Sequence, residues 1–178
     1  MQSKCITAML LILLPGFSGC QQDSAQTTGS PSSETLSVDG SKFLLSSHPE
    51  GAKDVIAVRE TATDGDDVLV VGRIGGSANP WVEGRAAFSI VDNSLKACSD
   101  IPGDMCEKPW DYCCETEKLP SSTALIKVVG KDGDLVRTDA RELLKVNELS
   151  TVVVKGKAER DDTGNLVVLA TGVYVVKQ

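Results

Sequence analysis

Five short runs rich in Val, Leu, Ile and Ala, separated by turn-forming clusters, constrain this chain more than any other feature. They lie at 68–74 (VLVVGRI), 85–91 (RAAFSIV), 124–129 (ALIKVV), 151–159 (TVVVKGKAE) and 166–176 (LVVLATGVYVV). Runs of this length and β-branched content read as strands. The clusters at 75–80 (GGSANP), 131–134 (KDGD) and 161–165 (DDTGN) hold the Gly, Asn, Asp and Pro that turns require. Residues 139–146 (DARELLKV) interrupt the series and predict a helix, with Asp139 and Glu142 at capping-box spacing. The order predicts a mainly β fold: a small five-stranded OB-like Greek-key barrel with one helix between strands 3 and 4. Another small barrel or sandwich is the alternative. Gly72 and Gly156, in mid-strand, suit the bends of such a barrel, and a bulge is expected near Gly172. Upstream, Ala52, Val55 and Ile56 fall on helical spacing. With Ser46 or Ser47 as cap and Pro49 in the first turn, they predict a short N-terminal helix over 49–59.

The 178 residues are 41% apolar, enough for one domain with a core. What precedes that domain predicts export. Lys4 supplies the positive n-region, and residues 6–14 (ITAMLLILL) form an apolar segment too short to span a bilayer as a helix. Phe17-Ser18-Gly19-Cys20 resembles the bacterial lipobox, with Phe17 where Leu is usual. The resemblance implies a lipoprotein signal peptide at 1–19, cleavage before Cys20, and thioether plus amide-linked acyl chains on Cys20, enough for stable anchoring. Ordinary secretion, with Cys20 incidental, is the alternative. Gln21 after the cysteine implies the periplasmic side of the outer membrane. Residues 20–42, rich in Ser, Thr, Gln and Gly, read as a flexible lipidated tether. A single domain over 43–178 follows. The formal charge is −7, and Lys4 is the only charge before Cys20, so the mature part is one unit more acidic. That balance argues against a nucleic-acid partner, which demands Lys and Arg against phosphate.

Four cysteines, Cys98, Cys106, Cys113 and Cys114, concentrate in an insertion at 93–120 between the second and third strands. In an exported domain they predict two disulfides. Adjacent cysteines rarely join, so Cys98 and Cys106 pair with Cys113 and Cys114 in one of two ways. The nested set, Cys98 with Cys114 and Cys106 with Cys113, is preferred. The competing readings are a tetrahedral thiolate metal site and redox-active thiols. The C-x7-C-x6-C-C spacing lacks the C-x2-C knuckle of zinc sites, and no C-x-x-C motif is present, so no metal or other cofactor is expected.

Trp81, Arg73, Arg85, Trp110 and Tyr112 are the candidate binding surface, but packing for the aromatics, and ion pairs with Glu83 or Asp92 for the arginines, is the preferred reading. His48 is the only histidine and precedes a proline, so no nucleophile–base arrangement can be assembled and no enzyme activity is expected. The Asp pairs at 64–67, 132–134 and 161–162 read as Asx turns and caps.

Several of these motifs carry a family resemblance: Pro49-Glu50-Gly51-Ala52-Lys53, Val71-Gly72-Arg73-Ile74-Gly75-Gly76, Pro80-Trp81, Cys98, Cys106 and Pro109-Trp110-Asp111-Tyr112-Cys113-Cys114. The stretch 49–175 resembles a family of planctomycete exported lipoproteins with an OB-like barrel and a PWDYCC motif. It implies location and domain extent and little about chemistry. The functional expectation is a non-catalytic binding or structural module of the cell envelope, lipid-anchored to the membrane, with an envelope protein or glycan as partner. A metal or redox protein is the alternative, and a nucleic-acid-binding barrel the weaker one.

Overall fold

The computed structural model describes residues 38–176. The signal peptide, Cys20 and residues 20–37 of the expected tether lie outside the described residues. In chain order the strands are β1 (Lys53–Asp54), β2 (Asp67–Ile74), β3 (Ala87–Val91), β4 (Thr123–Val128), β5 (Thr151–Arg160) and β6 (Leu166–Val175). The helices are α1 (Val55–Thr61), α2 (Leu119–Ser122) and α3 (Ala140–Leu144).

The sheet closes on itself. β2 pairs antiparallel with β3, β3 antiparallel with β4, β4 parallel with β6, β6 antiparallel with β5, and β5 antiparallel with β2. Strand order 1-2-3-5-4-1 in the barrel's own count, with α3 between its third and fourth strands, is the OB-like Greek key. β1 is a sixth strand, added parallel to the outer part of β2 through Lys53 and Asp54 against Val70 and Val71.

Alternation explains which residues fill the barrel. In β4, Ala124, Ile126 and Val128 are buried while Leu125 and Lys127 are only partly covered. The same period places Val70, Ile74, Phe88, Ile90, Val152, Val154 and Val168 in one core. Two glycines admit close backbone approach: a Cβ on Gly156 would stand 2.2 Å from the Leu169 carbonyl oxygen, and one on Gly72 2.8 Å from that of Val91. The register shifts opposite Lys155 and Gly156, which face Gly172 and Ala170, so Thr171 is the extra residue of a bulge beside Gly172.

The N-terminal helix is later and shorter than expected. Gly51 turns the chain at φ +82°, Lys53 and Asp54 join the sheet, and only then does α1 start. Neither Ser46 nor Ser47 caps it. The cap comes from the end of β3: the buried Asp92 carboxylate accepts from the Ile56 N–H at 2.7 Å, and its other oxygen accepts from the Ser94 N–H and hydroxyl. The helix after β4 forms where expected, capped by Asp139, which accepts from the Arg141 N–H at 2.9 Å. A 3-10 turn, Gly40–Phe43, seats on α3 so closely that a Cβ on Gly40 would strike the Leu143 carbonyl oxygen. Among the described residues no helix is long and apolar enough to cross a membrane.

Candidate metal centre

The insertion between β3 and β4 contains little secondary structure of its own: two 3-10 turns, Cys98–Asp100 and Pro109–Asp111, and the short α2. Its position is imposed by a small apolar cluster of Val91, Leu95, Ala97 and Tyr112, with Leu119 and Leu149 packed on it. Tyr112 is the largest fully buried side chain, and it takes a left-handed backbone, φ 58°. The turn at Gly75-Gly76, directly after β2, is its seat. The Gly76 N–H donates to the Trp110 carbonyl at 2.8 Å, and the Trp110 indole N–H donates to the Ala78 carbonyl at 3.3 Å. A Cβ on Gly75 would meet that same Trp110 oxygen at 2.5 Å and the Tyr112 ring at 2.9 Å. The Gly-Gly pair thus exists to let the insertion lie against the barrel. The Tyr112 hydroxyl has no hydrogen-bond partner among the described residues, and burial pushes its pKa up.

Around this anchor the cysteines converge. The Cys113 sulfur lies 3.1 Å from that of Cys106, 3.3 Å from that of Cys98 and 3.9 Å from that of Cys114. The Asp111 carboxylate stands 3.7 Å from the Cys98 sulfur and accepts from the Cys113 N–H at 2.9 Å. Donor atoms of Cys98, Cys106, Asp111 and Cys113 all fall within 4.8 Å of one another. Cys98 is buried, Cys106 and Asp111 are half-buried, and Cys113 and Cys114 are exposed.

No disulfide joins these four cysteines in this structure, so neither pairing expected from the sequence is seen. The sulfurs of Cys98, Cys106 and Cys114 gather around that of Cys113. Zinc–thiolate bonds of about 2.3 Å in a tetrahedron place sulfurs about 3.8 Å apart; the Cys113 sulfur stands closer than that to those of Cys106 and Cys98, so a bound ion would spread the cluster slightly. The donor set, three thiols and a carboxylate with no imidazole, fits a soft or borderline d10 cation. The thiols repel one another's ionisation. Hydrogen bonding to Cys113, then burial, pushes the Cys106 thiol up to about 12. At Cys113 the Cys106 contact alone would lower the value, but Cys98, burial and Cys114 outweigh it and leave the thiol at about 11. Cys114 is raised too, with the lowering contact from Cys113 outweighed by burial and by the charges of Cys98 and Asp104. A bound cation removes that repulsion, because metal binding displaces the protons.

Of the expected binding surface, Trp81 and Tyr112 are buried, Arg73 and Trp110 half-buried and Arg85 exposed. Trp81 is 6% exposed, donates from its indole to Glu148 at 2.6 Å, tilts against Phe88 and lies under the Arg141 guanidinium. Arg73 pairs with Asp100, not with Glu83 or Asp92, and so ties β2 to the first turn of the insertion. Arg85 is exposed and donates to the Gly84 carbonyl; Asp92 is occupied by Ile56 and Ser94. Trp110 is half-buried and Tyr112 buried. His48 packs edge-on to Tyr174, 5.2 Å between centroids, away from any nucleophile named above. Asx turns form at Asp161, which accepts from the N–H groups of Thr163 and Asn165, and at Asp132, which accepts from that of Asp134; Asp66 instead reaches back to accept from the N–H of Thr63. Sequence reasoning missed Asp111 as a donor. Its signal was present, since a carboxylate two residues before Cys113 can reach that residue's N–H.

No protein-family model matches the chain, and no curated protein matches it. Among solved structures, the chain is similar to a mitochondrial single-stranded DNA-binding protein from S. cerevisiae, at 17% identity and TM-score 0.35, covering 65% of this chain and 99% of that one. It is also similar to a Leishmania major Friedlin protein assigned as an aspartyl-tRNA synthetase, at 10% identity and TM-score 0.39, covering 76% of this chain and 23% of that one. The barrel assignment rests on the strand order, register and closure given above.

Proposed function

We propose that this chain is an exported lipoprotein, anchored through Cys20 on the periplasmic side of the outer membrane, whose barrel displays a binding site for a thiophilic metal ion. It is a non-catalytic envelope module. One observation carries the metal reading: Cys98, Cys106, Cys113 and Asp111 bring their donor atoms within 4.8 Å of one another, with no disulfide among them. The barrel's part is rigidity. It sets Trp110 and Tyr112 against Gly75-Gly76, and these hold Asp111 and Cys113 in place. Nucleic-acid binding lacks its chemistry, since the chain carries −7 and its two tryptophans and Tyr112 are engaged in packing.

The test is native mass spectrometry of the processed chain, purified in detergent under reducing, metal-free conditions and then given Zn2+. One bound ion, lost with Cys106→Ser and with Cys113→Ser, is expected. A chain that stays metal-free at micromolar Zn2+ defeats the reading. Incorporation of labelled palmitate by the wild type and not by Cys20→Ser checks the anchor.

A second reading has its own observation. The 3.1 Å contact of Cys106 with Cys113 is the tightest in the cluster and belongs to the nested disulfide set. An oxidising compartment would close it. Chain isolated without reductant, two hydrogens lighter per bridge and inert to alkylation until reduced, selects that reading over metal.

A further inference from the structure

The four donors of the proposed centre do not account for Cys114. Its sulfur is 3.9 Å from that of Cys113, it is exposed, and it stands outside the tight group of Cys98, Cys106, Asp111 and Cys113. A structural metal site is closed, with its ligands complete and covered; a site that passes its ion on needs an open side and a spare donor. Exposure here is graded across the cluster. Cys98 is 0% exposed, Cys106 and Asp111 are half-buried, and Cys113 and Cys114 face solvent. Met105, adjacent to Cys106, is 92% exposed, the most exposed large apolar residue among those described. Its substitution leaves the donors of the cluster in place.

Resting on the metal reading above, we propose that the centre is a transfer site and that Cys114 is its exchange ligand, handing the ion to a partner protein that presents exposed thiolates. The step balances by ligand exchange without redox change. The Cys114 sulfur forms a bond to the ion as the Asp111 oxygen–metal bond breaks, and the Cys114 thiol proton passes to solvent. The ion then lies toward Cys113 and Cys114, on the exposed side. An incoming thiolate displaces Cys98, the deepest ligand, and the remaining thiolates follow in turn. Asp111 suits the role of the ligand that lets go first. It is the one oxygen donor among sulfurs, and the Cys113 N–H holds its carboxylate in place once released.

The experiment follows Zn2+ transfer from the processed, detergent-solubilised chain to dimercaptosuccinate, a small dithiol, by stopped-flow. It compares the wild type, Cys114→Ser and Met105→Ala. The wild-type rate is expected to rise with dithiol concentration. Cys114→Ser should keep one Zn2+ with affinity within about twofold, yet transfer it about tenfold more slowly, at a rate independent of dithiol. Met105→Ala should retain the wild-type rate law. An unchanged rate law in Cys114→Ser overturns the proposal while leaving the metal site standing. Loss of the bound Zn2+ in Cys114→Ser also overturns it, because Cys114 is then a ligand of a closed site. A wild-type chain that binds no Zn2+ overturns the metal reading itself, and the transfer step with it.

Discussion

The barrel and the cysteine-rich insertion are held together by different means. In the barrel each strand is bonded on both sides, and the inward residues of all five strands meet in one apolar core. In the insertion the backbone makes isolated turns, and three of its residues, Leu95, Ala97 and Tyr112, form a small buried cluster on Val91 of β3. Its shape comes from outside: the Gly75-Gly76 seat, the Arg73–Asp100 pair and the apolar contact of Tyr112 with Val91. The difference teaches where chemistry can be placed. A region free of ladder constraints can bring residues 98, 106, 111 and 113 to one point, provided a rigid neighbour supplies the anchor points.

The comparison breaks first at the barrel. Phe88→Ala empties a fully buried position in the common core and is expected to cost about 3–5 kcal/mol. Urea denaturation should show one transition at lower midpoint, with barrel and insertion lost together. An insertion that outlasts the barrel would mean the two regions are independent.

Gly75→Ala attacks the seam. Its Cβ would stand 2.5 Å from the Trp110 carbonyl oxygen, and relieving that overlap is expected to cost about 1–3 kcal/mol. The barrel should persist by far-ultraviolet circular dichroism while the buried Cys98 becomes reactive to alkylation. Slow alkylation equal to wild type would show that the seat is not what shields it.

Tyr112→Phe sharpens the same contrast in the opposite direction. It keeps the ring and removes a buried hydroxyl that has no partner. It is expected to be neutral or to stabilise by up to about 1 kcal/mol, read as a rise in urea midpoint. A loss would show that the hydroxyl has a bound partner in solution.

The smallest effect belongs to the turn between β5 and β6. Hydrogen bonds from Asn165 and Thr163 hold the Asp161 carboxyl well below the usual carboxylate range. Because the folded value is depressed, the contribution is present above the unfolded value of about 4 and disappears as pH falls below it. The Tm gap between wild type and Asp161→Asn should therefore narrow between pH 6 and pH 3. A gap that stays constant would assign the effect to neutral hydrogen bonding.

The strands were legible because alternation and turn chemistry are local. The runs at 68–74, 151–159 and 166–176 match β2, β5 and β6 to within a residue or so at each end, and Gly172 marked the bulge. The helix at Asp139 was legible for the same reason. The start of α1 was not, because its cap, Asp92, lies 36 residues away at the end of β3. Trp81 reads as packing ahead of a surface anchor, but the sequence does not show that Glu148 and Arg141 are its partners.

By itself, then, the sequence determined the five barrel strands and their order, the helix between the third and fourth, the mid-strand glycines where backbones touch, and the cysteine-rich segment as the chemically distinct one. Each of these follows from neighbours a few residues apart. Only the tertiary structure decided that Cys98, Cys106 and Cys113 meet at one point with Asp111 among them, and that Tyr112 is buried. Loop geometry of that kind depends on anchors from elsewhere in the chain. Gly75 and Trp110 are 35 residues apart, and no local spacing encodes their contact.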